Sequence, residues 1–127
     1  MNILFLDDQQ SRHDAIAKYL IGYNLVHVYT AIECIEHLDK HNWDAVFLDH
    51  DLGGHIYVDS KETNTGAEVA RWLKEHPDRQ PPHMYIHSFN PVGAMDMWHN
   101  IPKAIIKPIS FVYQDIKQIL DKINNSH

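Results

Sequence analysis

Chemistry-bearing side chains stand directly behind short apolar runs at four places in this sequence. Asp7-Asp8 follows Ile3–Leu6, and Asp49-His50-Asp51 follows Ala45–Leu48. His87-Ser88 follows Met84–Ile86, and Lys107-Pro108 follows Ala104–Ile106. Strands of one parallel sheet would deliver all of these groups to its carboxyl edge, where open α/β sheets bind ligands. Carboxylates gathered there repel one another, and desolvation raises their pKa values. A divalent cation resolves that conflict, and oxygen-rich ligation with retained water suits Mg²⁺ or Mn²⁺. Lys107 then offers fixed positive charge to a bound phosphoryl group, and Ser88 a hydrogen bond. The turn at Asn90 offers free backbone N–H groups to an anion.

Simpler roles compete for each residue. Asp7-Asp8 and Ser88 suit helix caps, Lys107 a surface position before a turn, and His87 a satisfied buried imidazole. Two adjacent acids directly after an apolar run favour a site, and Asp51 strengthens the case for Asp49. His50 stands between two acids. Arg12 and His13 read as solvent-facing helix residues, although a guanidinium one turn into a helix can reach a phosphate bidentately. His55 reads as loop polarity unless its segment folds over the site. His27, His37, His41, His76, His83, His99 and His127 read as surface residues, with no zinc-type spacing to the single Cys34.

The elements needed to position these groups are legible. The continuous apolar runs suit strands buried on both faces of a parallel sheet. Leu25–Tyr29 alternates in part, as an edge strand does. Helical patterns fill the gaps. Ala15, Ile16, Tyr19 and Leu20 share a face ahead of Gly22. Thr30 with Glu33 and Thr65 with Glu68 read as capping boxes, the first leading into Ile32, Ile35 and Leu38. Asn90-Pro91 reads as an N-cap with Pro at the first helical position. Ser110 is expected to open a last helix with the stripe Val112, Ile116, Ile119, Leu120 and Ile123. The order βαβαβαβαβα predicts right-handed crossovers and a doubly wound five-stranded parallel sheet. The irregular stretch from Leu52 to Asn64 is long enough to be functional.

Length and charge narrow the function. The 127 residues suffice for one α/β domain over residues 1–127, with an insertion loop at about 52–64. A net charge of −6 disfavours gripping duplex DNA through its phosphates. One cysteine excludes an internal disulfide framework, and no apolar run reaches the length of a membrane span. The N-terminal segment lacks a basic region and meets acid early, so a cytoplasmic protein is expected.

Asp7-Asp8, Asp49, Ser88 and Lys107-Pro108, each at a strand end, together resemble the receiver domains of response regulators over essentially the whole chain. The resemblance implies a flavodoxin-like sheet in the order 2-1-3-4-5. It implies Asp8 and Asp49 as metal ligands, Asp7 through water, and the carbonyl of residue 51 as a further ligand. It also implies Asp49 as acceptor of a phosphoryl group from a histidine kinase. Several residues depart from that pattern. Phe89 follows Ser88 where receivers carry a small residue, and Ala104 stands where they carry a switch aromatic. His87 replaces an apolar strand end, and an insertion replaces the short turn after Asp49. The segments Leu48–Gly53, Thr65-Gly66 and His87–Ala94 make the chain similar to a narrower group, the cyclic-phosphate-processing receivers. That similarity implies metal-dependent phosphoester chemistry on a small phosphate-containing substrate or an RNA end. Asp49, His50, His87, Ser88 and Lys107 are the candidate catalytic residues, and Asp7, Asp8, Asp49 and Asp51 the candidate metal ligands. His87 or His50 would protonate the leaving oxygen. A phosphoacceptor receiver with phospho-Asp49 and a non-catalytic receiver-like binding module are the alternatives. Either would engage a protein partner through its fourth and fifth helices.

Overall fold

The computed structural model describes residues 1–55 and 57–126. Strands β1 (Asn2–Leu6), β2 (Asn24–Val28), β3 (Ala45–Leu48), β4 (His83–Ile86) and β5 (Ile105–Ile106) form one sheet in the order 2-1-3-4-5. Every neighbouring pair is parallel. Helices α1 (Gln10–Tyr19), α2 (Ala31–Lys40), α3 (Gly66–Glu75), α4 (Pro91–Asn100), α5 (Ile109–Gln114) and α6 (Ile116–Asn125) supply the crossovers and the final segment. His127 and Ile56 lie outside the described residues.

The side-chain period of a strand divides the core in two. Leu4, Leu6, Val46, Leu48, Met84 and Ile86 point to the layer that holds Cys34, Leu38, Val69, Leu73 and Met97. Ile3, Phe5, Ala45, Phe47 and Tyr85 point to the other, against Ile16, Leu20, Val112, Ile119 and Ile123. The apolar runs of β1 and β3 are thus covered on both faces, as continuous hydrophobicity in a parallel sheet requires. Burial also pushes the Cys34 thiol pKa up, which keeps it inert.

Local chemistry sets the helix starts. Thr30 Oγ1 accepts from the Glu33 N–H, and Thr65 Oγ1 from the Glu68 N–H. Asn90 Oδ1 accepts from the Gly93 N–H, with Pro91 at the first helical position. The final segment departs from expectation. Ser110 lies inside α5 rather than opening it, because Pro108 occupies the cap position. The chain also breaks at Asp115, so two helices replace one. The carboxylate of Asp115 is taken by Lys107 Nζ at 2.5 Å, across the turn that starts α5.

Other outward faces differ too. Ile32 is exposed because Ala31, Cys34 and Leu38 form the inward stripe of α2. Tyr19 is exposed and stacks on Tyr113 instead of joining the core. The fifth strand is two residues long and excludes Ala104. Its Ile105 and Ile106 are 42 and 36% exposed, since β5 is an edge that pairs with β4 alone. No helix among the described residues is long and apolar enough to cross a membrane.

Candidate functional site

The carboxyl ends of β1, β3 and β4 bring Asp7, Asp49 and His87 together. One ligand atom from each lies within 4.8 Å of the others, and all three residues are buried. Asp7 is the most heavily bonded. Its Oδ1 accepts from the Gln9 N–H at 2.9 Å. Its Oδ2 lies 2.9 Å from His87 Nε2 and accepts from Arg12 Nη1 at 3.2 Å. Burial by itself would raise this carboxyl. His87, the Gln9 N–H and Arg12 outweigh it and hold the group below the usual carboxylate range.

Asp49 has fewer partners. Its Oδ1 accepts from the His50 N–H at 3.0 Å, and its Oδ2 lies 3.6 Å from Arg12 Nη1. Burial and the neighbouring Asp7 charge push it up to about 7, against the opposing pull of His87, Arg12 and the His50 N–H. Gly66 fixes the backbone behind it. Its N–H donates to the His50 carbonyl at 2.9 Å, and a Cβ there would collide with the Asp49 carbonyl.

His87 is fully buried and stacks flat on Phe5, with ring centroids 4.9 Å apart. An Nε2–H donated to ionised Asp7 leaves Nδ1 as a bare acceptor. It is the one buried side-chain nitrogen or oxygen without a partner among the described residues. Ser88 Oγ accepts from the Asn90 N–H at 3.0 Å and so shapes the turn into α4.

The insertion folds back over this edge. Asp8 Oδ2 accepts from the Gly54 N–H at 2.7 Å. The Asp51 carboxylate accepts from the Tyr57 and Val58 N–H groups and from Asn90 Nδ2, and lies 3.0 Å from His50 Nδ1. These bonds outweigh burial and lower the Asp51 pKa. The other ring nitrogen of His50 lies 2.9 Å from Ser60 Oγ, whose hydroxyl donates to Asp96 at 2.6 Å. The Ser60 hydroxyl, already donating to Asp96, accepts from this ring nitrogen. Arg71 closes the far side through the carbonyls of Ser60 and Glu62. Tyr57 adopts φ +52°, a conformation that costs an L-residue about 1–2 kcal/mol and is held by the Asp51 bond.

A cleft of about 120 Å³ opens above Asp49. Asp8, Arg12, Asp49 and Asp51 line it, and His55, Tyr57 and Phe89 form its rim. Of the sequence candidates, Asp8, Asp49 and Asp51 therefore meet at one opening, with Asp7 and His87 behind it. His50 and His87 are both fully buried. Lys107 is drawn to Asp115, and Arg12 takes the position beside Asp7 and Asp49. Arg12 thus faces the site rather than solvent, with its guanidinium 5.4 Å from the Phe89 ring centroid. His55 reaches the cleft because the insertion folds over it.

His13 also departs from its expected solvent position. It is buried, with Nε2 2.8 Å from the Asp7 carbonyl and Nδ1 2.6 Å from His27 Nδ1. Burial leads in lowering its pKa. Its place behind Asp7 had no signal in a helical pattern of a few turns. Arg12 did carry one, in the reach of a guanidinium one turn beyond paired acids.

Known proteins share this fold. Residues 2–102 match the family model described as the cyclic-phosphate processing receiver domain. No curated protein matches the sequence. Among solved structures, the response regulator TrrA from Thermotoga maritima, in complex with Mg²⁺ and BeF, is 20% identical. Its TM-score is 0.69, over 97% of this chain and 99% of that one. The phosphorylated cyanobacterial phytochrome response regulator RcpA is 18% identical, with a TM-score of 0.72 over 99% and 96%. A CheY-like receiver from Methanospirillum hungatei is 20% identical, with a TM-score of 0.66 over 99% and 98%. These structures share the fold, and the match over most of the sequence is narrower: the chain belongs to the cyclic-phosphate-processing receiver domain family.

Proposed function

We propose that this protein opens a cyclic phosphate, on a nucleotide or an RNA end, with help from Mg²⁺ or Mn²⁺. Water adds to phosphorus, one ring P–O bond breaks, and the departing oxygen takes a proton to leave a phosphomonoester. The observation that carries this reading is the exchange of cations at Asp49. Arg12 stands beside it, while Lys107 is bound to Asp115. With Phe89 at the rim, the relay residues of a receiver are displaced and phosphate-binding groups added.

The donor set fits a divalent ion. Asp7 and Asp49 offer carboxylate oxygens in the buried cluster, and Asp8 stands at the cleft wall. An ion there supplies Lewis acidity toward the phosphoryl oxygens and acidifies water. The chain's own residues do the rest. Arg12 binds the nonbridging oxygens through two N–H groups. His87 and the Gln9 N–H keep Asp7 ionised and oriented. His55, at the open rim, donates a proton to the leaving oxygen, a task suited to imidazole at neutral pH. His50 and His87 act behind the wall as positioning groups, His50 through Asp51.

The test is hydrolysis of 2′,3′-cyclic nucleotides with Mg²⁺ or Mn²⁺, comparing wild type with Asp49→Asn. Turnover should fall at least about 100-fold in the variant and on chelation. Absence of turnover by wild type with metal bound would overturn the reading.

A phosphoacceptor receiver is the second reading, favoured by the position of Asp49 at the cleft. Acetyl phosphate would then modify Asp49, or beryllofluoride bind there. The exposed Phe111, Ile105 and Ile106 would offer an apolar face to a protein partner. A receiver-like module that only binds protein would take up neither Mg²⁺ nor Mn²⁺.

A further inference from the structure

The cleft above Asp49 is small. Its 120 Å³ lies well below the range of about 300–1,000 Å³ common for pockets that enclose whole ligands. A phosphate ring can enter, and the remainder of the substrate must lie across the rim. Two aromatic rings stand there. Phe89 is 52% exposed and Tyr57 is 71% exposed, and both border the same cleft.

Neither ring is placed by a need for burial. Phe89 lies between Ser88 and Asn90, whose mutual hydrogen bond fixes the turn. Arg12 lies against the Phe89 ring and links it to Asp7. Tyr57 is held in a left-handed backbone conformation by the Asp51 carboxylate. Both are thus exposed large side chains on braced backbone, beside a cleft that carries a cation and three carboxylates.

We infer that Phe89 and Tyr57 form a base-stacking subsite, so that the substrate of this cleft is a nucleoside cyclic phosphate rather than a base-free one. The inference rests on the cyclic-phosphate reading above. Stacking suits the task because every nucleobase has a π-face. The subsite therefore selects for the presence of a base with little preference among bases. The charges divide the work. Arg12 and the acidic cluster address the phosphate, and the rim addresses the base. The aromatic pair also gives the insertion a substrate-contacting role through Tyr57 and His55.

Hydrolysis of 2′,3′-cyclic AMP and of glycerol 1,2-cyclic phosphate with Mn²⁺ present, with affinity read as KM, tests this. Wild type should bind the nucleotide at least about tenfold more tightly, a typical stacking contribution. Phe89→Ala and Tyr57→Ala should each remove much of that preference and leave glycerol cyclic phosphate unaffected. Phe89→Tyr should retain it, and circular dichroism establishes that each variant is folded. Equal wild-type affinity for the two ligands would overturn the subsite while preserving the cyclic-phosphate reading. Equal weakening toward both ligands in Phe89→Ala would also overturn it, since Phe89 would then act by holding Arg12. Turnover of neither ligand by wild type would overturn both.

Discussion

Asp7 and Asp49 belong to one buried cluster yet bind protons very differently. Asp7 receives three donors and stays ionised, whereas Asp49 accepts one backbone N–H, has Arg12 at 3.6 Å, and is pushed up to about 7 by burial. The raised pKa carries a stability consequence with a definite sign. A carboxyl that binds its proton more tightly when folded stabilises the fold at low pH. That stabilisation is lost as pH rises from about 4 through about 7. In the absence of metal, Asp49→Asn should remove this loss. At pH 8 its thermal midpoint should exceed that of wild type by several degrees, about 1–3 kcal/mol, and the two should converge near pH 4. Parallel pH profiles would show that Asp49 is not destabilised. At this scale the acids were legible, because paired carboxylates behind an apolar run have few other uses. The role of Arg12 was legible only in its reach, because its two acidic partners follow separate strands. The withdrawal of Lys107 was not legible, since it depends on where the last helix breaks.

Elements place these residues through glycines and caps as much as through the sheet. The first turn of α4 lies so close to the β3–α3 connection that a Cβ on Gly93 would stand 2.5 Å from the His50 ring. Gly93→Ala should therefore push His50 off Ser60 and Asp51. We expect a loss of about 1–3 kcal/mol in urea unfolding and faster proteolytic cleavage within residues 51–64. Unchanged cleavage would mean that the insertion does not depend on His50. Helix starts at Thr30, Thr65 and Asn90 were legible because a cap is a local hydrogen bond. The break at Asp115 was not, since it involves a partner eight residues back in another element. The fifth strand was placed but its burial misjudged. An apolar run does not reveal whether it lies at the centre of a sheet or at its edge.

For the whole molecule, a cation held by residues from three strands, as proposed above, would couple metal binding to global stability. At a concentration 100 times its dissociation constant, such an ion contributes about 2.7 kcal/mol. Adding Mn²⁺ or Mg²⁺ should raise the thermal midpoint of wild type by several degrees, and Asp49→Asn should abolish most of that rise. An equal rise in both would place the ion elsewhere. The sheet order was legible from alternating elements together with the resemblance to receivers. The path of the insertion was not, because it follows contacts distant in sequence. Those contacts have a meaning for heredity and engineering. Residues 51–64 are held by Asp8, Arg71, Asn90 and Asp96, which come from every side of the site. The segment is therefore not a portable cassette. A graft of these residues onto another protein of the same fold would carry Tyr57 and His55 but leave their anchors behind. The anchors lie in three other regions, after β1, in α3 and in α4 with its cap, so the loop and these regions can only change together.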